Sequence, residues 1–470
     1  MKHIWTVFIL LCCALPGFAQ ETRQLTAANF RQEMSRVFAQ SRQARQAQII
    51  TQQATERGDL KNLTEGTDFH NLYLQKNFSA RPELFTKTYV AVASASSPQT
   101  QEVHKPWQLM ILMAIDRPKV LKRVNKYLRI QVQKGNAQHA VFVDMTKKNQ
   151  PQLYFLFRKS NMQLGEIVWD IDEDINPQEL LTTMFRHLKQ NASSFYTGLL
   201  IHGHGSGWGI NYNQQTITMR DLANTLKSEN LHIDVAELSS CHMGSFYTAY
   251  HLSKSGLVDY LSASANLGYD NKGQSQFQLL RFLNHAPKEA VTKSVKYLPS
   301  QFDFEYMAYD YMTEVAMELK SLAGPLHQWI TEYAILVSQS KELEKVFTRF
   351  LTNSAYAYSE MEKEISAKDR TWRSLKRLVK QEKKYVQDHF DELTAEDVHF
   401  TEKKQRFIRA SERLLDELDK SVLFQWCYEA DEEKIYRTNM PGKCLDGISV
   451  DKEQLDQLIQ DLKSTWRPIL

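Results

Sequence analysis

A histidine and a cysteine each follow an apolar, strand-like run in the middle of this chain. Residues 199–208 read LLIHGHGSGW and residues 235–244 read VAELSSCHMG. Ligands bind at the carboxyl ends of strands in open α/β sheets, so we expect the two loops to meet across one crevice. A thiol beside a histidine or a helix N-terminus forms the thiolate that attacks a carbonyl carbon. The spacing therefore predicts nucleophilic catalysis, with Cys241 as the nucleophile and His204 as its acid/base.

The glycines of the first loop fit the same chemistry. Gly205 can bring its backbone N–H close to a developing oxyanion, and the backbone N–H of Cys241 is a second donor. Glycine-rich loops after strands are common, however, and a lone cysteine is often buried and inert. On the residues alone, a purely structural role for both loops stays open.

Strands and helices alternate around these two loops. Asn176-Pro177-Gln178-Glu179 opens one amphipathic helix, Thr218 with Asp221 opens a second, and residues 243–252 form a third. Continuous apolar runs predict strands that are covered on both faces. These runs are residues 109–115, 140–143, 153–157, 195–201, 233–238 and 257–263. The pattern predicts a doubly wound α/β sheet.

Composition divides the chain into four parts. Residues 1–19 have the basic start, apolar run and small residues before a cleavage point at Ala19 that mark a signal peptide. Residues 20–105 are polar and read as an N-terminal helical layer or pro-region. Residues 106–300 carry the α/β pattern, and 301–470 are charged, amphipathic and mainly helical. We expect an exported protein, secreted or periplasmic, with no membrane span once the signal is removed.

Charge and cysteine content restrict the partners. The 470 residues carry a net charge of +3 and no nucleic-acid-binding motif, so nucleic acid is not an expected partner. Removal of the signal peptide leaves three cysteines, Cys241, Cys427 and Cys444. In an oxidising compartment the last two can form a disulfide, which leaves Cys241 as a lone reactive thiol.

The two loops resemble those of the clostripain family of cysteine peptidases, within the caspase-like and gingipain-like group. That family has a strand ending in H-G-x-G-W, matched by His204 to Trp208, and a later strand ending in D-A-C-L-M, partly matched by Ser239 to Met243. The resemblance runs from about Trp107 to Asn271. Weaker landmarks are the strand end Trp107 to Asp116, a Gly-Glu turn at Gly165-Glu166, and Gly447-Ile448-Ser449.

The resemblance implies a caspase-like α/β sandwich, a mostly parallel sheet with helices on both faces, for residues 106–300. It also implies peptide-bond hydrolysis through an acyl-enzyme thioester, with His204 and Cys241 in the catalytic roles. His202 falls two residues too early for the motif and is expected to be a structural residue at the strand end or a neighbour of the site. Relatives respond to calcium in some cases, but no EF-hand-like ligand series supports calcium here, and no cofactor is expected.

One departure concerns the substrate. Many members prefer Arg or Lys beside the scissile bond, and an Asp two residues before the nucleophile forms part of their acidic pocket. Ser239 stands there in this chain, which leaves basic specificity open. Asp270 is a candidate replacement carboxylate, with an exposed turn residue as the alternative.

Three rival readings remain. A metal-dependent hydrolase would use His202, His204, Cys241 and His242 as ligands, although no H-E-x-x-H or C-x-x-C spacing occurs. A serine hydrolase would use residues 204–207 as an oxyanion loop, but the chain has no G-x-S-x-G. The third is a secreted, non-catalytic binding protein on a degenerate peptidase fold.

Overall fold

A computed structural model describes most of the chain from Trp107 onward. The described residues are 22–25, 107–114, 118–144, 152–158, 164–171, 176, 178–179, 181–182, 185, 195–212, 215–265, 277–301, 311–352, 372–393, 399–429, 434–437 and 445–466. The predicted signal peptide, Asp270 and Cys444 lie outside them, as does the predicted N-terminal region except for residues 22–25.

An eleven-stranded sheet forms the centre of the described structure. Its strands are β1 (Thr22–Leu25), β2 (Trp107–Met113), β3 (Ala137–Asp144), β4 (Gln152–Arg158), β5 (Leu164–Ile171), β6 (Tyr196–His202), β10 (Ile233–Ser239), β11 (Val258–Ser264), β12 (Tyr311–Glu318), β14 (Val422–Glu429) and β15 (Lys434–Tyr436). Their order across the sheet is β1-β5-β4-β3-β2-β6-β10-β11-β12-β14-β15.

The five central strands of this sheet, from β3 to β11, run parallel to one another. The strands on both sides of them pair antiparallel, except for β1, which pairs with β5 in parallel.

Two smaller sheets lie beside the central one. The first contains β7 (His204–Gly205), β8 (Gly209–Tyr212) and β9 (Gln215–Thr218), so it carries the glycine-rich loop. The second pairs β13 (Arg373–Ser374) with β16 (Ser449–Val450). The second sheet therefore joins two segments from the last hundred residues of the chain.

Helices cover both faces of the central sheet. They are α1 (Pro118–Lys134), α2 (Met219–Glu229), α3 (Phe246–Ser255), α4 (Pro287–Tyr297), α5 (Ala323–Gln339), α6 (Lys341–Thr352), α7 (Leu375–Asp388), α8 (Phe400–Ser421) and α9 (Lys452–Trp466). The apolar residues of α1 and α4 pack with one sheet face, and those of the other helices pack with the opposite face. The predicted α/β class with helices on both faces is confirmed. None of the described helices is both long and apolar enough to span a bilayer.

Helix starts follow the capping residues in the sequence. The Thr218 side chain accepts a hydrogen bond from the Asp221 N–H at the start of α2, as predicted. The Asn176 side chain likewise accepts from the N–H of Gln178 at 2.8 Å. α3 begins later than predicted, because the Ser245 side chain caps it by accepting from the Thr248 N–H. Residues 241–244 are thereby left outside the helix.

Two predictions near the start of the α/β region need correction or extension. Gly165-Glu166 is not a turn: both residues lie within β5, where a Cβ at position 165 would collide with the Phe157 ring. Glu166 instead pairs with Arg129 of α1. The helix α1 itself has no counterpart among the predicted elements.

The central sheet also continues past residue 300, where the α/β pattern was predicted to end. β12 pairs with β11, and β14 pairs with β12, both antiparallel. The described part of residues 301–470 thus supplies five helices and also five strands. The sheet crosses the predicted boundary, so the loops that carry His204 and Cys241 share one framework with the C-terminal segments.

Candidate active site

The two predicted loops leave the sheet side by side. β6 and β10 are parallel neighbours, with Ser239 opposite His202 in the register. Because the strands end at the same edge, the loop that starts at Gly203 and the loop that starts at Ser240 enter the same region. The Gly203 N–H donates to Ser240 Oγ at 3.1 Å, which ties the two loop starts together.

Gly205 lies directly against the backbone of Cys241. A Cβ atom at position 205 would collide with the Cys241 carbonyl oxygen and would lie 2.9 Å from the Cys241 amide nitrogen. No other residue type fits there without moving one of the loops. Glycine is therefore required at position 205 by a close approach between the backbones of the two loops.

His204 and Cys241 lie where a substrate can reach them. His204 is exposed and sits in β7 opposite Asn211 of β8. Cys241 is half-buried and is not part of a disulfide. An accessible imidazole and an accessible thiol on touching loops are the groups that a thiol-based acyl transfer requires.

His202 has a structural role at the strand end. Its ring is buried, and its Nδ1–H donates to the Ser239 carbonyl oxygen at 2.7 Å. This bond joins β6 to the residue two positions before Cys241. His202 therefore holds the end of β10, just before the Cys241 loop, against β6.

His242 is buried directly after Cys241 in the chain. Its ring stacks on the Trp372 indole, with centroids 4.4 Å apart and planes 8° from parallel. Burial lowers the pKa of the His242 imidazole to about 3, so the ring is neutral at physiological pH. Its backbone φ of 58° lies in the left-handed region, which non-glycine residues rarely adopt.

The surroundings of His202 and His242 argue against the alternative of a metal-dependent hydrolase. His202 is engaged with a backbone carbonyl, and His242 is stacked face to face with Trp372. Within the part of the chain that the structure describes, the metal-ligand types that cluster in threes are His232, Asp234 and Asp259. They lie where β10 and β11 begin, at the edge of the sheet opposite Cys241.

Ser239 lines a cavity of about 30 Å³ beside the loop that carries Cys241. Two buried glutamates that the sequence analysis did not single out share the lining: Glu237 of β10 and Glu314 of β12. The sheet register places both on one face, since Glu237 is opposite Ser262 and Glu314 is opposite Ser264. Glu237 was the signal for this cavity in the sequence, because it is an acid inside the apolar run 233–238 and a buried charge needs a compensating partner.

Burial perturbs both carboxyl groups, and the charge of Glu237 acts on Glu314 as well. Burial raises the pKa of Glu237 to about 7, against hydrogen bonds that its carboxylate accepts from the N–H groups of Gln278 and Leu279. Burial chiefly, and the charge of Glu237 in addition, raise the pKa of Glu314 to about 8, while a hydrogen bond with Ser264 opposes the shift. The cavity is thus acidic, and a cation entering it would relieve the repulsion.

Two further predictions involve residues outside the described part of the chain, Cys444 and Asp270. Cys427 is disulfide-bonded, but Cys444 is outside the described residues, so the Cys427–Cys444 pairing stays a prediction. Asp270 also lies outside them, and its role as a pocket carboxylate stays a prediction.

Comparison with known proteins gives structural likeness alone. No family model and no curated protein matches the chain. An inactive zymogen C11 protease from Parabacteroides distasonis is 15% identical, with a TM-score of 0.47, over 77% of this chain and 96% of that one. A secreted C11 cysteine protease from Bacteroides thetaiotaomicron, in complex with an irreversible peptide inhibitor, is 12% identical, with a TM-score of 0.48, over 74% of this chain and 92% of that one.

A further structure of a secreted C11 cysteine protease from Bacteroides thetaiotaomicron, called iotapain, is 13% identical with a TM-score of 0.45, over 76% of this chain and 97% of that one. C11 is the clostripain family, so the likeness is to the family that the two motifs resemble. At these identities and TM-scores the likeness carries no argument about the reaction. The functional case rests on the residues of this chain.

Proposed function

We propose that this protein is an exported cysteine endopeptidase in which Cys241 is the nucleophile and His204 is the acid/base. The observation that carries the proposal is the packing of Gly205 against the Cys241 backbone. It brings an accessible thiol, an accessible imidazole and two backbone N–H groups into contiguous loops at the carboxyl edge of a sheet. Such an arrangement supplies each group that acyl transfer to a thiol needs.

The proposed reaction has two stages. His204 accepts the thiol proton, and the Cys241 thiolate attacks the peptide carbonyl, with the oxyanion accepting hydrogen bonds from the N–H groups of Gly205 and Cys241. His204 then donates its proton to the leaving amine as the C–N bond breaks, which leaves a thioester on Cys241. Water, deprotonated by His204, hydrolyses the thioester and restores the thiol.

We further propose that the side chain beside the scissile bond is a lysine. Ser239 connects the nucleophile strand to a cavity that holds Glu237 and Glu314, so the acidic function lost at position 239 is carried by other residues. A cavity of about 30 Å³ accommodates a group about as large as one or two water molecules, as an ammonium is. A planar guanidinium with its five N–H donors needs more room.

The dyad is tested by cleavage of a positional peptide library. We expect the parent to cleave, and Cys241→Ala and His204→Ala to lose about 1000-fold or more in kcat/KM. His399→Ala is the matched control for His204, because its side chain is also exposed, at 73%, and it lies at the start of α8. Parent-level cleavage by Cys241→Ala would contradict the proposal. No cleavage by any of the proteins, after a check for an uncut N-terminal segment, would favour the binding-protein reading.

The lysine preference is read from the same library. We expect peptides with lysine beside the scissile bond to be cleaved at least about 10-fold faster than norleucine peptides, since a charge-assisted hydrogen bond contributes roughly 1.5–3 kcal/mol. Equal rates for lysine and norleucine would remove the specificity proposal and leave the dyad untouched.

A further inference from the structure

Trp372 connects the C-terminal part of the chain to the candidate active site. It is 4% exposed and directly precedes β13, which pairs with β16 through Arg373 opposite Val450. The chain just after it is fixed as well, because the Leu375 N–H donates to the Ile448 carbonyl oxygen at 2.8 Å. The indole is therefore held by a short two-stranded sheet and the start of α7.

One face of the indole supports the residue that follows the nucleophile. The His242 ring lies parallel to it at 4.4 Å. The left-handed backbone at His242 costs roughly 1–3 kcal/mol for a non-glycine residue and persists only where the surroundings impose it. The stack is the contact that fixes the His242 side chain, and through it the backbone that begins at Cys241.

The edge of the same indole meets the other catalytic loop. A Cβ at Gly207 would collide with the Trp372 ring, and Gly207 itself has a φ of 77°. The Ser245 hydroxyl donates to the Gly207 carbonyl oxygen at 2.8 Å, which closes the loop onto the start of α3. Trp372 thus touches the His204 loop and the Cys241 loop together.

The partner strand of β13 reaches the nucleophile loop independently. The Ser449 N–H donates to the Gly244 carbonyl oxygen at 3.0 Å. Segments from both sides of α7 and α8 therefore converge on residues 242–244. Two separate segments of the C-terminal region, at Trp372 and at Ser449, therefore contact the loop that carries Cys241.

From these contacts we propose that Trp372 is a positioning residue of the active site, which sets the relative placement of the His204 and Cys241 loops by packing between His242 and Gly207. The inference rests on the proposed function for its catalytic consequence. The structural part of the proposal, that Trp372 fixes the position of Cys241, does not depend on the proposed function.

The test compares Trp372→Leu and Trp372→Phe with Trp107→Leu. Leucine keeps an apolar side chain but has no ring face for His242, whereas phenylalanine keeps the face. Trp107 is a matched control because it is fully buried and has a ring contact with Tyr196, but it starts β2 at the edge of the sheet away from Cys241. All proteins are assayed for kcat, KM and melting temperature.

We expect Trp372→Leu to lose about 10- to 100-fold in kcat with KM changed less than about 2-fold, as follows from small displacements of reacting groups. Trp372→Phe should retain most of the parent kcat. Trp107→Leu should melt earlier with parent kcat. A folded Trp372→Leu with parent kcat, or an equal loss of kcat in Trp107→Leu, would overturn the proposal.

A second measurement separates this proposal from the proposed function. The rate at which iodoacetamide alkylates Cys241 depends on the setting of the thiol and not on peptide cleavage. We expect the rate to change in Trp372→Leu and to be unchanged in Trp107→Leu, even if the parent cleaves no peptide. Equal rates in the parent and Trp372→Leu would overturn it. If Trp372→Leu does not fold, His242→Leu removes the stack from the other side, and His242→Phe should rescue the parent values.

Discussion

At the scale of single residues, the candidate site depends on one close approach between backbones. Gly205 is in contact with Cys241 because it has no Cβ, and the contact brings the two strand ends to one point. His202 strengthens the same junction by donating to the Ser239 carbonyl. The relative placement of the His204 and Cys241 loops therefore depends on backbone contacts.

Gly205→Ala should separate the loops, since the added methyl collides with the Cys241 carbonyl oxygen. We expect kcat/KM to fall about 100-fold, as for other displacements of about 1 Å at a reacting centre. Gly324→Ala is the matched control: its Cβ would meet nothing closer than Arg413 at 4.0 Å, and stability should rise by up to about 1 kcal/mol. Parent activity in Gly205→Ala would show that the approach is not needed.

The acidic cavity predicts a pH-dependent specificity. As the pH rises from about 6 to about 9, Glu237 and then Glu314 lose their protons around raised pKa values of about 7 and about 8, and their charges attract an ammonium. The ratio of lysine to norleucine cleavage should therefore increase over this range, while the titration of His204 and Cys241 cancels in the ratio. Glu314→Gln should remove the part of the increase around pH 8 and leave the part around pH 7. An identical rise in this variant would exclude Glu314 from the pocket.

Sequence reasoning at this scale found the residues that carry a motif. The H-G-x-G-W and Cys241 patterns led to both dyad candidates and both backbone donors. Glu314 and Trp372 carry no local signal, because their roles come from β12 pairing with β11 and from β13 pairing with β16. Contacts between distant segments need the topology before they can be predicted.

At the scale of elements, the strongest sequence signals were continuous apolar runs and capping residues. The runs predicted the central parallel strands, and Thr218 predicted the start of α2. β12 was missed because YMTEVAME mixes acids with apolar residues, and its glutamate at 314 is buried by tertiary packing. The run 233–238 still predicted β10 despite Glu237, whereas Glu314 and Glu318 together interrupt the apolar pattern of β12.

Helix α7 carries a buried carboxyl group outside the catalytic region. Glu382 is fully buried, neither side-chain oxygen has a hydrogen-bond partner among the described residues, and burial raises its pKa well above 4.5. The folded state therefore binds the proton more tightly than the unfolded state does. Its stabilising contribution is complete below about pH 4.5 and is lost as the pH rises through the raised value.

Glu382→Gln should remove this pH dependence. The gain in free energy of unfolding over the parent should grow as the pH increases from about 5 to about 8, by up to roughly 1.4 kcal/mol per pH unit. Urea unfolding of both proteins at several pH values measures it. Glu344→Gln, at an exposed position of α6, should show no such trend. A gain that is constant with pH would mean that Glu382 is not buried as a neutral acid.

At the scale of the whole molecule, the sheet and the site both extend past residue 300. β12 and β14 cover the edge of β11, while Trp372 and Ser449 contact residues 242–244 next to Cys241. A chain that ends at residue 300 exposes the β11 edge and leaves apolar surface on both faces uncovered. The C-terminal segments therefore complete the framework of the α/β region.

We expect a chain that ends at residue 300 to lack a cooperative thermal transition and to aggregate, whereas a chain that ends at residue 466 should melt like the parent. Circular dichroism on heating and size-exclusion chromatography distinguish the two. A soluble, cooperatively folding product that ends at 300 would show that the later strands are an addition to a self-sufficient domain.

Covalent trapping tests whether Cys241 is a nucleophile that His204 activates. The protein is incubated with a lysine-containing peptidyl acyloxymethyl ketone, and the modified residue is located by mass spectrometry of the digested chain. We predict a single adduct on Cys241 in the parent, formed at least about 100-fold faster than in His204→Ala. An adduct on another residue would show that Cys241 is not the nucleophile. Labelling of Cys241 at the same rate in His204→Ala would show that His204 does not activate it.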